Sequence, residues 1–519
     1  MPNLQKDHVF QLVKTLGKGE KRNFKLYMQR NNARSELKVV QLFDAMDKME
    51  DYDEVQLLKK NRLLKKQQLS NLKSGLYRHI LDSLRLIKEA DNIDLQLSEM
   101  LGNARLLYNK GLYLQSLQIL QRVKQEAYLY HQYTFVQQAL FFEKKIEAMY
   151  ITRSMQNRAE DLTREADRIE HMLGSINHLS NLNLLLYSWY IQHGHARNKA
   201  ESQRVQAYFQ SFHITGPGQD ADFYEKLYFC QSMCWLHYIQ LDFLKYYRYA
   251  TKWVDLFHNE PAMIWVETIQ YTKGLHNLIS AHYDLRLYDK FMQTLDIFEA
   301  FYFSEGVQRN PNYKIQAFVY FYTAKIHQHF QEGRFTEGLK LVPEIMEGLK
   351  TFESLIDRHR VLVFYYKIAS LYFGSGQYAR AVDFLNRIIQ LNADLRIDLQ
   401  CYARLLHLIA HVELGNWELI PYLLKSVYRF MAKMQHMNKV EQALFRFIRR
   451  AIYTNRNGTM QAMKELLIKL RLLEANRAES RAFAYLDIIS WLESKLENKP
   501  VEEIIRRKFE ENKIRKNLR

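Results

Sequence analysis

At 519 residues the chain is several times longer than a typical compact domain, so it forms either a few globular domains or one extended array. Its 7 Pro and 18 Gly are too few to turn an all-β or loop-rich protein, and 47% hydrophobic residues with 34 Tyr, 29 Phe and 6 Trp exclude a disordered one. The net charge of +17 bears on partners and not on fold.

The opening MPNLQKDHVFQLVKTLGKGEKR holds no apolar run of signal-peptide length. No later stretch approaches the roughly 20 uncharged residues of a membrane span. Three cysteines, Cys230, Cys234 and Cys401, stand at no framework spacing, which predicts a cytoplasmic protein without disulfides.

Residues 1–90 read as a basic helical module containing 19 basic and 11 acidic residues. Helical patterns cover 4–16, 20–30, 36–49 and 54–89, broken at Gly17-Lys18-Gly19 and Asp51-Tyr52-Asp53. The first break lacks the Gly-Lys-Ser/Thr ending of a phosphate loop and follows no strand, so it is a turn between helices. On the long helix over 54–89, Lys59, Arg62 and Lys66 fall near one face and make a candidate basic docking surface.

From 91 to 498 one signal recurs. A helical stretch ends in Gly or a polar turn, an aromatic residue follows after two positions, and a small or apolar residue after three more. The clearest copies are Gly111/Tyr113/Ser116, Gly333/Phe335/Gly338, Gly376/Tyr378/Ala381 and Gly415/Trp417/Ile420, with weaker ones near Asn157, His195, Asp242, Arg286 and Asn457. Gly allows the positive φ that ends one helix, the aromatic ring wedges between helices, and the small residue lets backbones approach. Turns roughly 37 to 48 residues apart leave room for two helices each, giving about nine hairpins that stack to bury their apolar faces. Residues 499–519 read as a charged helix fraying into a tail.

Catalytic and metal patterns are weak. Cys230, Cys234 and His237 share a helical face without a second ligand pair and read as core. His407 and His411 have a zinc-protease spacing, but Leu408 stands where the catalytic Glu belongs. His193 with His195, and His327 with His329, lie near hairpin turns and read as exposed or capping. Arg446, Arg449 and Arg450 form a second candidate basic surface. The reading is a non-enzyme with no metal and no cofactor.

The unit Tyr365/Ile368/Ala369/Tyr372/Gly376/Tyr378/Ala381/Leu385/Ile388 resembles the tetratricopeptide repeat family, and Ala104, Gly111, Tyr113, Ser116, Leu120 and Val123 keep part of the same pattern. The period exceeds that family's 34 residues, and most first helices lack its small residue. The resemblance implies an all-α, right-handed α-α superhelix whose groove in the best unit is lined by Val363, Tyr366, Ser370 and Phe373. Tyr366 and Ser370 stand where that family's carboxylate clamp has Lys and Asn, so a helical or apolar segment is the expected ligand. The expected function is a protein-binding scaffold or adaptor for a partner peptide or helix. The alternatives are a nucleic-acid-associated regulator using the basic N-terminal module, and a peptide-sensing regulator.

Overall fold

The computed structural model describes residues 7–30, 34–61, 63–88, 92–149, 157–196, 198–218, 220–353, 355–391, 396–434, 437–454, 456–474 and 481–517. Every regular element among them is a helix. The chain divides into two compact units, Met1–Leu173 and Gly174–Arg519, so the expected boundary at residue 90 lies inside the first unit.

In the first unit, short polar side chains start the helices. Asp7 accepts from the Val9 and Phe10 amides at 3.0 Å and opens His8–Thr15, and Asp53 accepts from Val55 and Gln56 and opens Glu54–Lys60. At the Gly17 turn the Glu20 carboxylate accepts from the Gly17 amide at 2.8 Å, which ties down the start of Lys18–Arg30. These helices, with Arg34–Lys48 and Lys66–Lys88, close around Phe24, Leu42, Phe43, Leu57, Leu76 and Ile80.

The single helix expected over 54–89 is two. Glu54–Lys60 stops at Asn61, whose side-chain amide turns back to the Leu57 carbonyl at 2.9 Å, and Leu64 is buried in the break before Lys66 restarts the helix. After Asn92 caps Ile93–Asn109, Gly111 (φ 77°) turns the chain into Tyr113–Leu129. The buried Ser116 hydroxyl donates to the Ala104 carbonyl at 2.8 Å, fixing the close approach of these two helices.

The second unit is a run of antiparallel helix pairs. They are Phe223–Ile239 with Phe243–Asn259, Thr268–Asp284 with Tyr288–Tyr302, Arg358–Gly374 with Tyr378–Gln390, Ile397–Glu413 with Ile420–Lys433, and Lys439–Ile452 with Arg456–Glu474. Between the second and third of these, Pro311–Glu332 pairs with the broken helix Phe335–Gly338 and Val342–Thr351. The turns use the left-handed backbone region at Leu241, Arg286, Gly333, Gly376 and Gly415. Asn457 is already inside the helix Arg456–Glu474, so the last turn lies just before it. First helices also pack on the first helices of neighbouring pairs, Thr268–Asp284 on Pro311–Glu332, that helix on Arg358–Gly374, and Arg358–Gly374 on Ile397–Glu413.

The expected charged C-terminal helix is present and docked, and residues 518–519 lie outside the described residues. Val501–Asn517 is a helix that buries Val501 and Ile504 and packs on Ile488–Glu497 and back on Pro311–Glu332. Gly333 is where the backbones touch: a Cβ there would lie 2.4 Å from the Arg506 nitrogen and 2.7 Å from the Glu502 oxygen. The Glu502 carboxylate accepts from the Thr336 amide at 3.1 Å and its hydroxyl at 2.9 Å, and Phe509 meets Tyr288 edge to face at 4.7 Å.

Candidate functional site

The four residues expected to line a groove do share one wall. Val363, Tyr366, Ser370 and Phe373 project from Arg358–Gly374 into a cavity of about 350 Å³ inside the second unit. Its opposite side is the chain itself: Phe483, Tyr485 and Leu486, then Val501 and Ile505, cover the wall. The Tyr366 hydroxyl donates to the Tyr485 carbonyl at 2.9 Å, and burial holds that phenol well above its ordinary pKa. An adjoining compartment of about 360 Å³ lies under Val501–Asn517 and shares Phe243, Tyr283, Asp284, Phe330 and Phe483 with the first.

Sequence reading missed the charged groups here. Lys367 sits on the groove face, four residues after Val363 and three before Ser370, the spacing that puts side chains on one side of a helix. Its ammonium bonds the His327 Nε2. Burial lowers its pKa to about 7, with Arg396 acting the same way and Asp284 opposing. Asp284, at the last position of Thr268–Asp284, is pushed up to about 7 by burial, with Lys367 pulling the other way. Burial, with help from Arg360 and Lys367, lowers His276 to about 3. It lowers His327 well below its ordinary value, with Lys367 and His276 adding to the effect. Both imidazoles are therefore neutral at pH 7. Tyrosine rings hold them, Tyr283 stacking on His327 at 4.2 Å and Tyr320 on His276 at 4.3 Å.

Other charges at the cavity are matched. Arg396 makes a bidentate pair with Asp398 at 2.8 and 2.9 Å, and the Tyr485 hydroxyl also donates to Asp398. Tyr485 stacks on Tyr402 at 4.4 Å, so the covering segment is held by both a ring and a charged pair. Asp487 accepts from the Ser490 amide and hydroxyl as the cap of Ile488–Glu497.

Two of the histidines read as exposed or capping are interior. His327 faces the cavity, and His195 is buried with its Nδ1 2.8 Å from the Tyr238 carbonyl. The signal missed was their place on first helices or turns that face neighbouring first helices. Cys230, Cys234 and His237 are buried, with the His237 ring stacked 5.7 Å from Tyr249. Cys401 is buried on Ile397–Glu413. His407 and His411 meet ring to ring at 4.5 Å.

The basic surfaces fare differently. Lys59 and Lys66 are exposed but lie on separate helices across the break at Asn61, so they do not share the helical face expected of them, and Arg62 lies outside the described residues. Arg446, Arg449 and Arg450 are exposed on Lys439–Ile452, with Arg450 paired to Glu465 at 3.0 Å. No family model matches the chain, and no curated protein matches its sequence.

Proposed function

We propose that the second unit is a tetratricopeptide-like right-handed superhelix that works as a binding scaffold, holding a helical or apolar segment of a partner protein along the wall formed by Val363, Tyr366, Ser370 and Phe373. One observation carries this reading: the wall is already covered by an amphipathic stretch of the same chain, through Phe483, Tyr485, Leu486, Val501 and Ile505. A surface that accepts such a segment from its own chain has the shape and polarity to accept one from another. The contacts are mixed, apolar side chains plus one hydrogen bond from Tyr366 to the Tyr485 backbone, which is the mode of an amphipathic helix laid in a groove.

The test uses the full chain and a fluorescent peptide with the sequence of residues 481–513. Binding to the intact protein should be weak because the internal copy competes. It should strengthen in Gly333→Ala, which removes the room for Arg506, and change little with salt. A parallel affinity capture from cell extract, with and without nuclease, separates the classes. Partners that all vanish after nuclease, together with a peptide that never binds, would replace the scaffold by a nucleic-acid-associated regulator.

A further inference from the structure

The cavity beneath the covering segment holds one carboxylate and one ammonium that the protein leaves unmatched. Asp284 has no hydrogen-bond or ion-pair partner among the described residues, and it lines both compartments. Lys367 acts on it electrostatically without making an ion pair with it, and its one bond is to the neutral His327, which leaves other ammonium protons facing the cavity. The remaining charges are in use: Arg396 is bound by Asp398, and Asp487 caps a helix. Leaving two opposite charges enclosed and unpaired costs stability, and a fold under no other demand would pair them or replace them with apolar groups. Around them the walls are aromatic, with Phe243, Tyr283, Phe330 and Phe483 common to both compartments.

We propose that this cavity is a binding site for a small zwitterion of the α-amino-acid type with an aromatic or branched apolar side chain, its ammonium on Asp284, its carboxylate on Lys367 and its side chain among the shared aromatic rings. The chemistry follows from what is open. A cation alone would leave Lys367 unmatched, and an anion alone would leave Asp284 so, whereas a molecule carrying both charged groups on one carbon satisfies the two together. A cavity of about 350 Å³ lies within the ~300–1,000 Å³ span of small-molecule sites. This site concerns a small molecule under the covering segment, with Phe483 of that segment among its walls, and its test needs no macromolecular partner.

The test is calorimetric titration and thermal unfolding of the full chain with L-phenylalanine and L-leucine, beside 2-phenylethylamine and 3-phenylpropionate as the two half-molecules. At least one amino acid should bind and raise Tm, with each half-molecule weaker by about tenfold or more. Asp284→Asn and Lys367→Met should each lose about tenfold or more in amino-acid affinity, with helical content by circular dichroism reporting that they fold. Proton exchange gives a readout on the unaltered protein. The titratable and charged groups around Asp284 are Lys367, Arg286, Asp487, Tyr238, Tyr246 and Tyr283, and those around Lys367 are Asp284, His327, His276 and Arg396. Because both Asp284 and Lys367 titrate near pH 7, the amine should release protons on binding just below that pH and the acid should take them up just above it. Failure of both amino acids to bind at millimolar concentration would overturn the proposal. So would a half-molecule that binds as tightly as the zwitterion, or amino-acid binding that survives both substitutions.

Discussion

Lys124 in the first unit and Lys367 in the second are both enclosed lysines on helices, and the chain surrounds them with opposite inventories. Lys124 is only 4% exposed, yet its ammonium meets Glu143 at 3.0 Å and Glu165 at 2.9 Å, and Arg158 adds a second cation to Glu143 at 3.2 Å. Burial still raises the Glu143 pKa, while Lys124 and Arg158 pull it down. That cluster joins Tyr113–Leu129, Tyr133–Glu147 and the start of Arg158–His193, and every charge in it has a partner. Lys367 has a neutral histidine, the face of the Phe330 ring 6.0 Å away and a cavity, but no carboxylate in contact. Both helices pay to enclose an ammonium, but only the first recovers the cost within the fold, and the second holds it where a molecule from outside could supply the missing charge.

Removing Lys124 should have the largest effect. Lys124→Met leaves Glu143 enclosed with Arg158 alone and should cost about 3–5 kcal/mol, read from denaturant unfolding of the full chain. An equal loss from Lys367→Met would erase the distinction between the two lysines.

Gly333→Ala tests the cover that encloses Lys367. Its φ of 63° is unfavourable for Ala by about 1–2 kcal/mol, and the new Cβ meets the Arg506 and Glu502 backbones. Limited proteolysis should therefore cut within residues 498–517 far faster than in the unaltered chain. Gly376→Ala carries the same penalty at φ 80° with nothing within 4 Å of the new Cβ, and should leave that region protected. A smaller step is Tyr366→Phe, which removes one hydrogen bond to the cover. About 1 kcal/mol is at stake, seen as faster amide exchange over residues 482–486.

Lys367→Met alone should raise stability at pH 7, because an enclosed and unmatched charge is replaced by an apolar chain. Its signature lies in pH dependence. Asp284 rises from 3.8 to about 7, so between those values the folded state holds a proton the unfolded state lacks, and stability falls as pH rises. Lys367 drops from 10.5 to about 7, so above 7 the unfolded state holds the extra proton and stability climbs with pH. Together they contribute a minimum near neutral pH in the unfolding free energy. Asp284→Asn should flatten its acid side and Lys367→Met its alkaline side.

Much of the helix layout was legible because it is local. Gly111, Gly333, Gly376 and Gly415, picked out by their place before an aromatic residue, all adopt positive φ, since the turn that ends each helix demands it of nearby sequence alone. The four wall residues came from the repeat pattern of a single helix pair. What the sequence hid is the set of contacts across distance. Asp284, His327, Lys367 and Arg396 come from four separate pairs, and the Tyr366 bond to Tyr485 spans 119 positions, which no periodicity reveals. Lys367 could have been noticed, since it shares the face of Val363 and Ser370. The docking of the expected C-terminal helix was hidden for another reason: it rests on Val501 and Ile504 amid a strongly charged run, a narrow stripe that composition obscures.

The contact between Thr336 and Glu502 joins residues 166 apart. During synthesis the wall of Arg358–Gly374 therefore emerges well before the segment that will cover it. At about 5–20 residues per second, the 119 positions from Tyr366 on the wall to Tyr485 on its cover take roughly 6 to 24 seconds. For that time a nascent chain presents an aromatic-lined groove with its own occupant still unmade, and whatever binds such grooves in the cell meets it before the chain can close on itself.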